Sequence, residues 1–171
     1  MRTGHIFGLT AALGLVADLV SKHYVFAFLS QLAPDAHGRL RYPVLEPWLV
    51  LQLERNTGGV FGVLRGKGYV FAVLAVAALG VVAWMLRKAG PDQRLLPLAL
   101  GLVAAGAVGN LVDRLWFGHV RDFLYVEIIN WPAFNVADAC ICVAAGLLVL
   151  EIYRAEARER REGAARGGGK R

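Results

Sequence analysis

Tyr69-Val70-Phe71-Ala72-Val73-Leu74-Ala75-Val76-Ala77-Ala78-Leu79-Gly80-Val81-Val82-Ala83-Trp84-Met85-Leu86 runs for 18 residues without a charge, and Leu95–Val112 does so again over the same length. At ~1.5 Å of helix rise per residue, each block is long enough to cross the ~30 Å hydrocarbon core of a bilayer. Outward from this pair, two further apolar blocks appear. The fourth covers about 134–153, and the first, Ile6–Leu29, is interrupted only by Asp18 and Lys22. Arg2 ahead of the run Ile6–Ala17 has the look of a secretory leader. No clear A-x-A site follows it, and the other spans need no cleaved leader, so the block reads as an uncleaved first helix. The expectation is an α-helical integral membrane protein with transmembrane spans at about 6–29, 68–87, 94–115 and 134–153 in one domain, 1–153.

Composition agrees. Of 171 residues, 57% are hydrophobic and 19% charged, where soluble domains run near ~45–50% and ~25%. Disordered and fibrous classes are excluded, and with only Cys140 and Cys142 a disulfide scaffold is excluded too. Two apart on a helix, those cysteines face apart and read as small apolar residues. The net charge of +6 resides mostly in the tail 154–171, which carries seven Lys/Arg against three Glu. No aromatic residue interleaves with its basic residues after Tyr153, so the stacking half of a nucleic-acid site is missing. A basic tail after an apolar span is what cytoplasmic retention and anionic headgroups favour. The short loop 87–94 holds Arg87, Lys88 and Arg94 between two spans, which makes it cytoplasmic by the same bias. Both termini then fall on the cytoplasmic side, and the long connection of about 30–67 folds on the outer face despite its own arginines.

That connection is more than a linker. Glu46-Pro47-Trp48-Leu49-Val50-Leu51-Gln52-Leu53-Glu54 is rich in strand formers, Asn56-Thr57-Gly58-Gly59 turns the chain, and Val60-Phe61-Gly62 is apolar again. The reading is a strand or ribbon over about 42–62 at the membrane surface. Tyr42, Trp48, Trp116, Tyr125 and Trp131 lie near span ends, as interfacial aromatic belts do.

Ionisable groups within spans are costly, which makes each a functional candidate. Asp18 and Lys22 are four apart on one helix face and can neutralise each other, either as a structural ion pair or as part of the chemistry. Asn110, Asp113 and Arg114 converge on one face of the third span. A helix-end cap with a snorkelling Arg accounts for Arg114 but not for all three. The small residues Gly101, Ala104, Ala105, Gly106 and Gly109 allow a neighbouring helix to approach closely. Asn135 and Asp138 share a face at the start of the fourth span, and the turn at Asn130-Trp131-Pro132 can bring Asp122 back over them. Two adjacent carboxylates share one proton, so one can activate a water and the other can protonate an oxyanion and a leaving amine. The plainer alternative is a solvated loop acid at 122 and a helix-dipole acid at 138. His5, His23, His37 and His119 are scattered, no G-x-S-x-G or zinc motif occurs, and no metal or cofactor is expected. A proton-coupled transporter would also use intramembrane Asp, Lys and Arg, but spread across the bilayer depth. A structural assembly factor would tolerate loss of both aspartates.

Five ordered blocks carry a resemblance over most of residues 14–150: Asp18-x3-Lys22, Asn56-Thr57-Gly58-Gly59-Val60-Phe61-Gly62, Gly109-Asn110-Leu111-Val112-Asp113-Arg114, Val120-Arg121-Asp122-Phe123, and Phe134-Asn135-Val136-Ala137-Asp138. The chain resembles the lipoprotein signal peptidase (signal peptidase II) family of bacterial membrane aspartyl proteases. The resemblance implies a fold of four transmembrane helices with a small extracytoplasmic β-cradle, and removal of signal peptides from prolipoproteins just before a diacylglyceryl-modified cysteine. It places the catalytic dyad on Asp122 and Asp138. It makes Asn56, Gly58, Asn110, Asp113, Arg114 and Asn135 substrate-binding or site-supporting residues, and Asp18 and Lys22 a structural pair. It further implies a monomer in the bacterial inner membrane with its site at the extracytoplasmic face, contact with membrane lipids, and inhibition by globomycin-type compounds. Ala105, Val60 and Ala139 depart mildly from the family pattern, and none removes a proton-handling group. The Asn56–Gly62 segment is the candidate cover for the site.

Overall fold

The computed structural model describes residues 2–59, 63–90 and 93–168. Val60, Phe61 and Gly62, part of the expected ribbon and cover, lie outside the described residues, as do Pro91 and Asp92 of the short basic loop and the last three residues of the tail. Helices α1 (Arg2–Leu29), α2 (Gly68–Lys88), α3 (Leu95–Phe117) and α4 (Val136–Gly168) are joined by strands β1 (Arg41–Leu45), β2 (Leu49–Asn56), β3 (Val120–Val126) and β4 (Trp131–Phe134). Each of the four helices contains a stretch long and apolar enough to cross a membrane: Thr3–Leu29, Gly68–Lys88, Leu95–Phe117 and Val136–Ala157. The protein is a multi-pass membrane protein.

The helix α3 is the axis of the bundle and packs on α1, α2 and α4. Its small side chains explain this place: Ala99, Ala104, Ala105 and Ala107 are buried, while Leu9, Leu13, Val16, Val73, Val76 and Val143 on the surrounding helices face outward. Apolar residues on the outer surface suit a hydrocarbon solvent, and close backbone approach then depends on small residues within. At Gly106 the approach is close enough that a Cβ would lie 2.5 Å from the Ala137 carbonyl oxygen of α4. Helix α3 stops at Gly118, which takes the left-handed conformation at φ 73° and donates its N–H to the Arg114 carbonyl.

The strands form one antiparallel sheet in the order β1-β2-β3-β4. Two strands lie in the first connection as the expected ribbon region, but the sheet does not end there, because β3 and β4 come from the α3–α4 connection, where Asp122 reads as a loop acid in the sequence. The pairing Glu54↔Asp122 and Asn56↔Val120 closes the sheet onto the end of α3. The tail, expected as a plain solvated extension, continues α4 as helix to Gly168. Its Ala, Glu and Arg content is that of a strong helix former.

Candidate active site

The start of α4 has four backbone N–H groups without intrahelical partners, and polar side chains satisfy three of them, at Asn135, Ala137 and Asp138. Asn135 Oδ1 accepts the Asp138 N–H at 3.0 Å, and Asp138 Oδ2 accepts the Asn135 N–H at 3.2 Å. This is a reciprocal capping box, with Asn and Asp in place of the usual Ser/Thr and Glu. Asp18 of α1 reaches across and accepts the Ala137 N–H at 2.8 Å. Asp138 is therefore a helix-capping acid, as the plainer reading has it, and its rotamer is locked by that role.

The same asparagine ties Asp138 to Asp122. Asn135 is fully buried, and its Nδ2 donates to Asp122 Oδ1 at 2.6 Å. Asp122 is not a solvated loop acid, since strand β3 holds it 2% exposed. Its other oxygen, Oδ2, accepts from Asn56 Nδ2 at 2.9 Å, at the end of the neighbouring strand β2. Among the described residues neither Asp122 nor Asp138 enters an ion pair. Burial first, and then the charge of Asp138, push the Asp122 carboxyl up to about 7, against the opposing hydrogen bonds from Asn56 and Asn135. Two carboxyls bridged by one asparagine and supplied only with neutral donors are suited to holding one proton between them.

Further polar side chains back the pair. Asn110 Nδ2 donates to Asp138 Oδ1 at 2.8 Å, while Asn110 Oδ1 accepts from Lys22 Nζ at 3.0 Å and from Asn135 Nδ2 at 3.1 Å. Lys22 also contacts Asp18 at 2.8 Å and Asp113 at 3.4 Å, with all three side chains at 0% exposure. Asp113 does not face the carboxyl pair. Its oxygens take the Arg121 backbone N–H at 2.9 Å and the Arg121 guanidinium at 2.7 Å, so it fixes the strand residue immediately before Asp122. The Arg121 guanidinium also lies 4.5 Å over the Phe117 ring. Arg114 lies within electrostatic reach of Asp138 and Asp122 without an ion pair to either, and donates to the Gly58 carbonyl at 3.2 Å and to the Asn110 carbonyl at 3.3 Å, with its guanidinium over the Phe71 ring. Gly58 is buried, donates its N–H to Asn56 Oδ1 at 2.9 Å, and has no room for a side chain, since a Cβ would lie 2.7 Å from the Val63 carbonyl oxygen.

Asp122, Asp138, Asn56, Asn110 and Asn135 are thus brought into one connected network, with Lys22 and Asp18 directly behind it. Asp113 and Arg114, which share a helix face with Asn110 in the sequence, diverge from it to brace β3 and the Asn56–Gly58 turn. Sequence reasoning missed Arg121 as a site-building residue. Its signal was available: Asp113 near the end of a span calls for a cation, and Arg121 is the first arginine or lysine after that span. Among the described residues no group of His, Cys, Asp and Glu is arranged to hold a metal ion.

Comparison with known proteins converges on one family. The sequence model described as signal peptidase (SPase) II matches residues 10–154. The lipoprotein signal peptidase of Geobacter metallireducens is 36% identical over 162 residues, covering 92% of this chain and 96% of that protein. That of Geobacter sulfurreducens is 43% identical over 122 residues, covering 68% of this chain and 76% of that protein. A bacterial membrane enzyme solved by the in meso method at 2.3 Å superposes with a TM-score of 0.77 at 26% identity, over 89% of this chain and 90% of that one. A second such enzyme, at 1.9 Å, gives 0.72 at 26% identity, over 85% and 91%.

Proposed function

Because the chain belongs to the signal peptidase II family, and so is a membrane protease that removes signal peptides from lipoproteins, we propose that Asp122 and Asp138 form an aspartic catalytic dyad. The substrate is a prolipoprotein bearing a diacylglyceryl-cysteine, and the cut falls just before that cysteine. The observation that carries the reading is Asn135, whose side-chain amide holds Asp122 and whose backbone N–H holds Asp138, with no cation paired to either carboxyl among the described residues.

The reaction follows from that arrangement. Asp122, raised to about 7, carries the proton, and Asp138 is the base. Asp138 takes a proton from a water while the hydroxide oxygen bonds to the scissile carbonyl carbon. Asp122 gives its proton to the carbonyl oxygen, leaving a neutral gem-diol. Asp138 then passes its proton to the amide nitrogen, the gem-diol returns one to Asp122, and the C–N bond breaks. The products are the carboxyl end of the signal peptide and the free amine of the lipidated cysteine, and the dyad is restored.

The remaining residues serve the geometry. Asn56, Asn110 and Asn135 supply neutral donors that hold the carboxyls in place. Arg114 holds the Asn56–Gly58 turn by the Gly58 carbonyl. The outward apolar faces of α1, α2 and α4 receive membrane lipids, and the substrate's acyl chains arrive laterally among them. The basic 87–94 loop and tail favour cytoplasmic termini in the bacterial inner membrane, with the sheet and the dyad at the extracytoplasmic face. The enzyme works as a monomer, and globomycin-type compounds occupy the same pocket.

The test is cleavage of a diacylglyceryl-modified prolipoprotein by the purified protein beside Asp122→Asn and Asp138→Asn. Each variant is expected to stay folded and to lose turnover by about 10³-fold or more, the scale of acid–base catalysis. Near-normal turnover in either variant removes that residue from the dyad.

A further inference from the structure

An amide side chain presents opposite chemistry at its two ends, a carbonyl acceptor and an NH2 donor, so the catalytic use of an asparagine depends on which end faces the reacting group. We propose that Lys22 is a positioning residue for the dyad: its buried ammonium keys the Asn110 amide so that the NH2, and not the carbonyl, faces Asp138. This rests on the dyad reading given above.

The two asparagines at the site have their orientations fixed by different means. The Asp138 backbone N–H needs an acceptor and takes Asn135 Oδ1 at 3.0 Å, which turns Asn135 Nδ2 toward Asp122 at 2.6 Å and toward Asn110 Oδ1 at 3.1 Å. Backbone alone therefore settles Asn135. Asn110 has no such backbone key. Its Oδ1 accepts from Asn135 Nδ2 at 3.1 Å and from the Lys22 ammonium at 3.0 Å, the charge-assisted and so the stronger of the two keys, and its Nδ2 donates to Asp138 Oδ1 at 2.8 Å. An ammonium has three donors and no acceptor. Flipping Asn110 would set its NH2 against the Lys22 ammonium and its carbonyl against the Asp138 carboxyl, losing both charge-assisted bonds.

The ion pair by itself does not account for a lysine here. Lys22 and Asp18 are both 0% exposed, and a buried ion pair can generally be replaced by apolar residues of similar volume at little cost or with a gain. An apolar pair cannot send a donor to Asn110. The three contacts of Nζ go to Asp18 at 2.8 Å, Asp113 at 3.4 Å and Asn110 at 3.0 Å. Two of them compensate charge, and the third is the one that reaches the site.

Two double variants of the full chain separate the roles. Asp18→Asn with Lys22→Met removes the ion pair and the donor. Asp18→Asn with Lys22→Gln also removes the ion pair but keeps a donor: the amide introduced at 18 accepts from Ala137 and gives its NH2 to the carbonyl of the amide introduced at 22, whose own NH2 then faces Asn110. Asp113 keeps its Arg121 partner in both. With a diacylglyceryl-modified prolipoprotein as substrate, kcat of the Met variant is expected about 30-fold below that of the Gln variant. KM and the unfolding midpoint should match between them. In an Asn110→Ala background the two should turn over equally, since Lys22 acts through Asn110. Equal kcat in the two doubles, a difference carried by KM, a difference that survives Asn110→Ala, or failure of either double to fold makes Lys22 a structural brace and overturns the proposal. Full activity of Asp122→Asn removes the dyad premise instead, whatever the Lys22 variants do.

Discussion

Two pairs of acids lie side by side in this molecule, one fully buried and one with Asp122 buried and Asp138 half-buried, and the protein treats them in opposite ways. Asp18 and Asp113 are at 0% exposure, and each contacts a cation, Lys22 for both and Arg121 for Asp113 as well. Asp122 and Asp138 contact three asparagines and a backbone N–H, and no cation pairs with them among the described residues. Acids paired with buried cations hold helices and strands together. An acid given only neutral donors in a buried place holds its proton more tightly, and burial first, then the charge of Asp138, raise Asp122 to about 7. On the proposed reading, what separates a brace from a catalyst is the partner, not the residue type.

The largest break in this contrast comes from taking an acid out of the braced pair. Asp113→Ala leaves Arg121 and Lys22 without a shared carboxylate in the interior, a change that costs about 3–5 kcal/mol where one partner of a buried ion pair is removed. Denaturation midpoints in detergent at constant pH should fall accordingly, with turnover disappearing as the fold does. A folded, inactive Asp113→Ala would place Asp113 in the chemistry.

The proposed catalytic pair should respond to acid removal in the opposite direction. The folded protein holds the Asp122 proton up to about pH 7, while an unfolded chain releases it near ~3.9. Between those values the folded state binds more protons than the unfolded one, so this group takes stability away as pH rises from about 4 to about 7. Asp122→Asn has no such proton to lose. Its unfolding midpoint should match the wild type at pH 4 and exceed it at pH 8, and a midpoint below wild type at pH 8 would mean that the carboxylate is compensated after all. Wild-type turnover should fall as pH rises through about 7, because the acid loses its proton there.

Much of this was legible in the sequence, unevenly. The charge-free runs Tyr69–Leu86 and Leu95–Val112 announce their helices because a bilayer selects on length and apolarity, both local properties. Strand β3 was hidden for a physical reason: Asp122 is a buried acid in a buried position, so Val120–Val126 lacks the alternation that marks a strand. The Asn135-x-x-Asp138 spacing was visible, and its capping geometry follows from it. The bonds Lys22–Asn110, 88 residues apart, and Ala137–Asp18, 119 apart, depend on how α1, α3 and α4 cross, and a single sequence contains no register between helices.

The smallest predicted effect tests whether the two pairs are mechanically joined. At Gly109 a Cβ would collide with Asp18 Oδ2 and come within 3.1 Å of its Cγ. Gly109→Ala must push the Asp18 carboxylate aside, at a cost of about 1–3 kcal/mol for overpacking. Asp18 also carries the Ala137 N–H, one residue before Asp138, so the push should reach the first turn of α4 and lower kcat even where the protein is folded. Gly101→Ala is the matched control. Its Cβ would come within 2.8 Å of the Phe7 carbonyl oxygen and of Thr10 Cβ, the same α1–α3 contact but far from Asp18 in the chain. It should lose comparable stability and keep its turnover per folded molecule. If both variants keep turnover, the braced pair supports the fold without steering the dyad. If Gly109→Ala alone loses it, the close packing of α1 on α3 is part of how Asp138 is aimed.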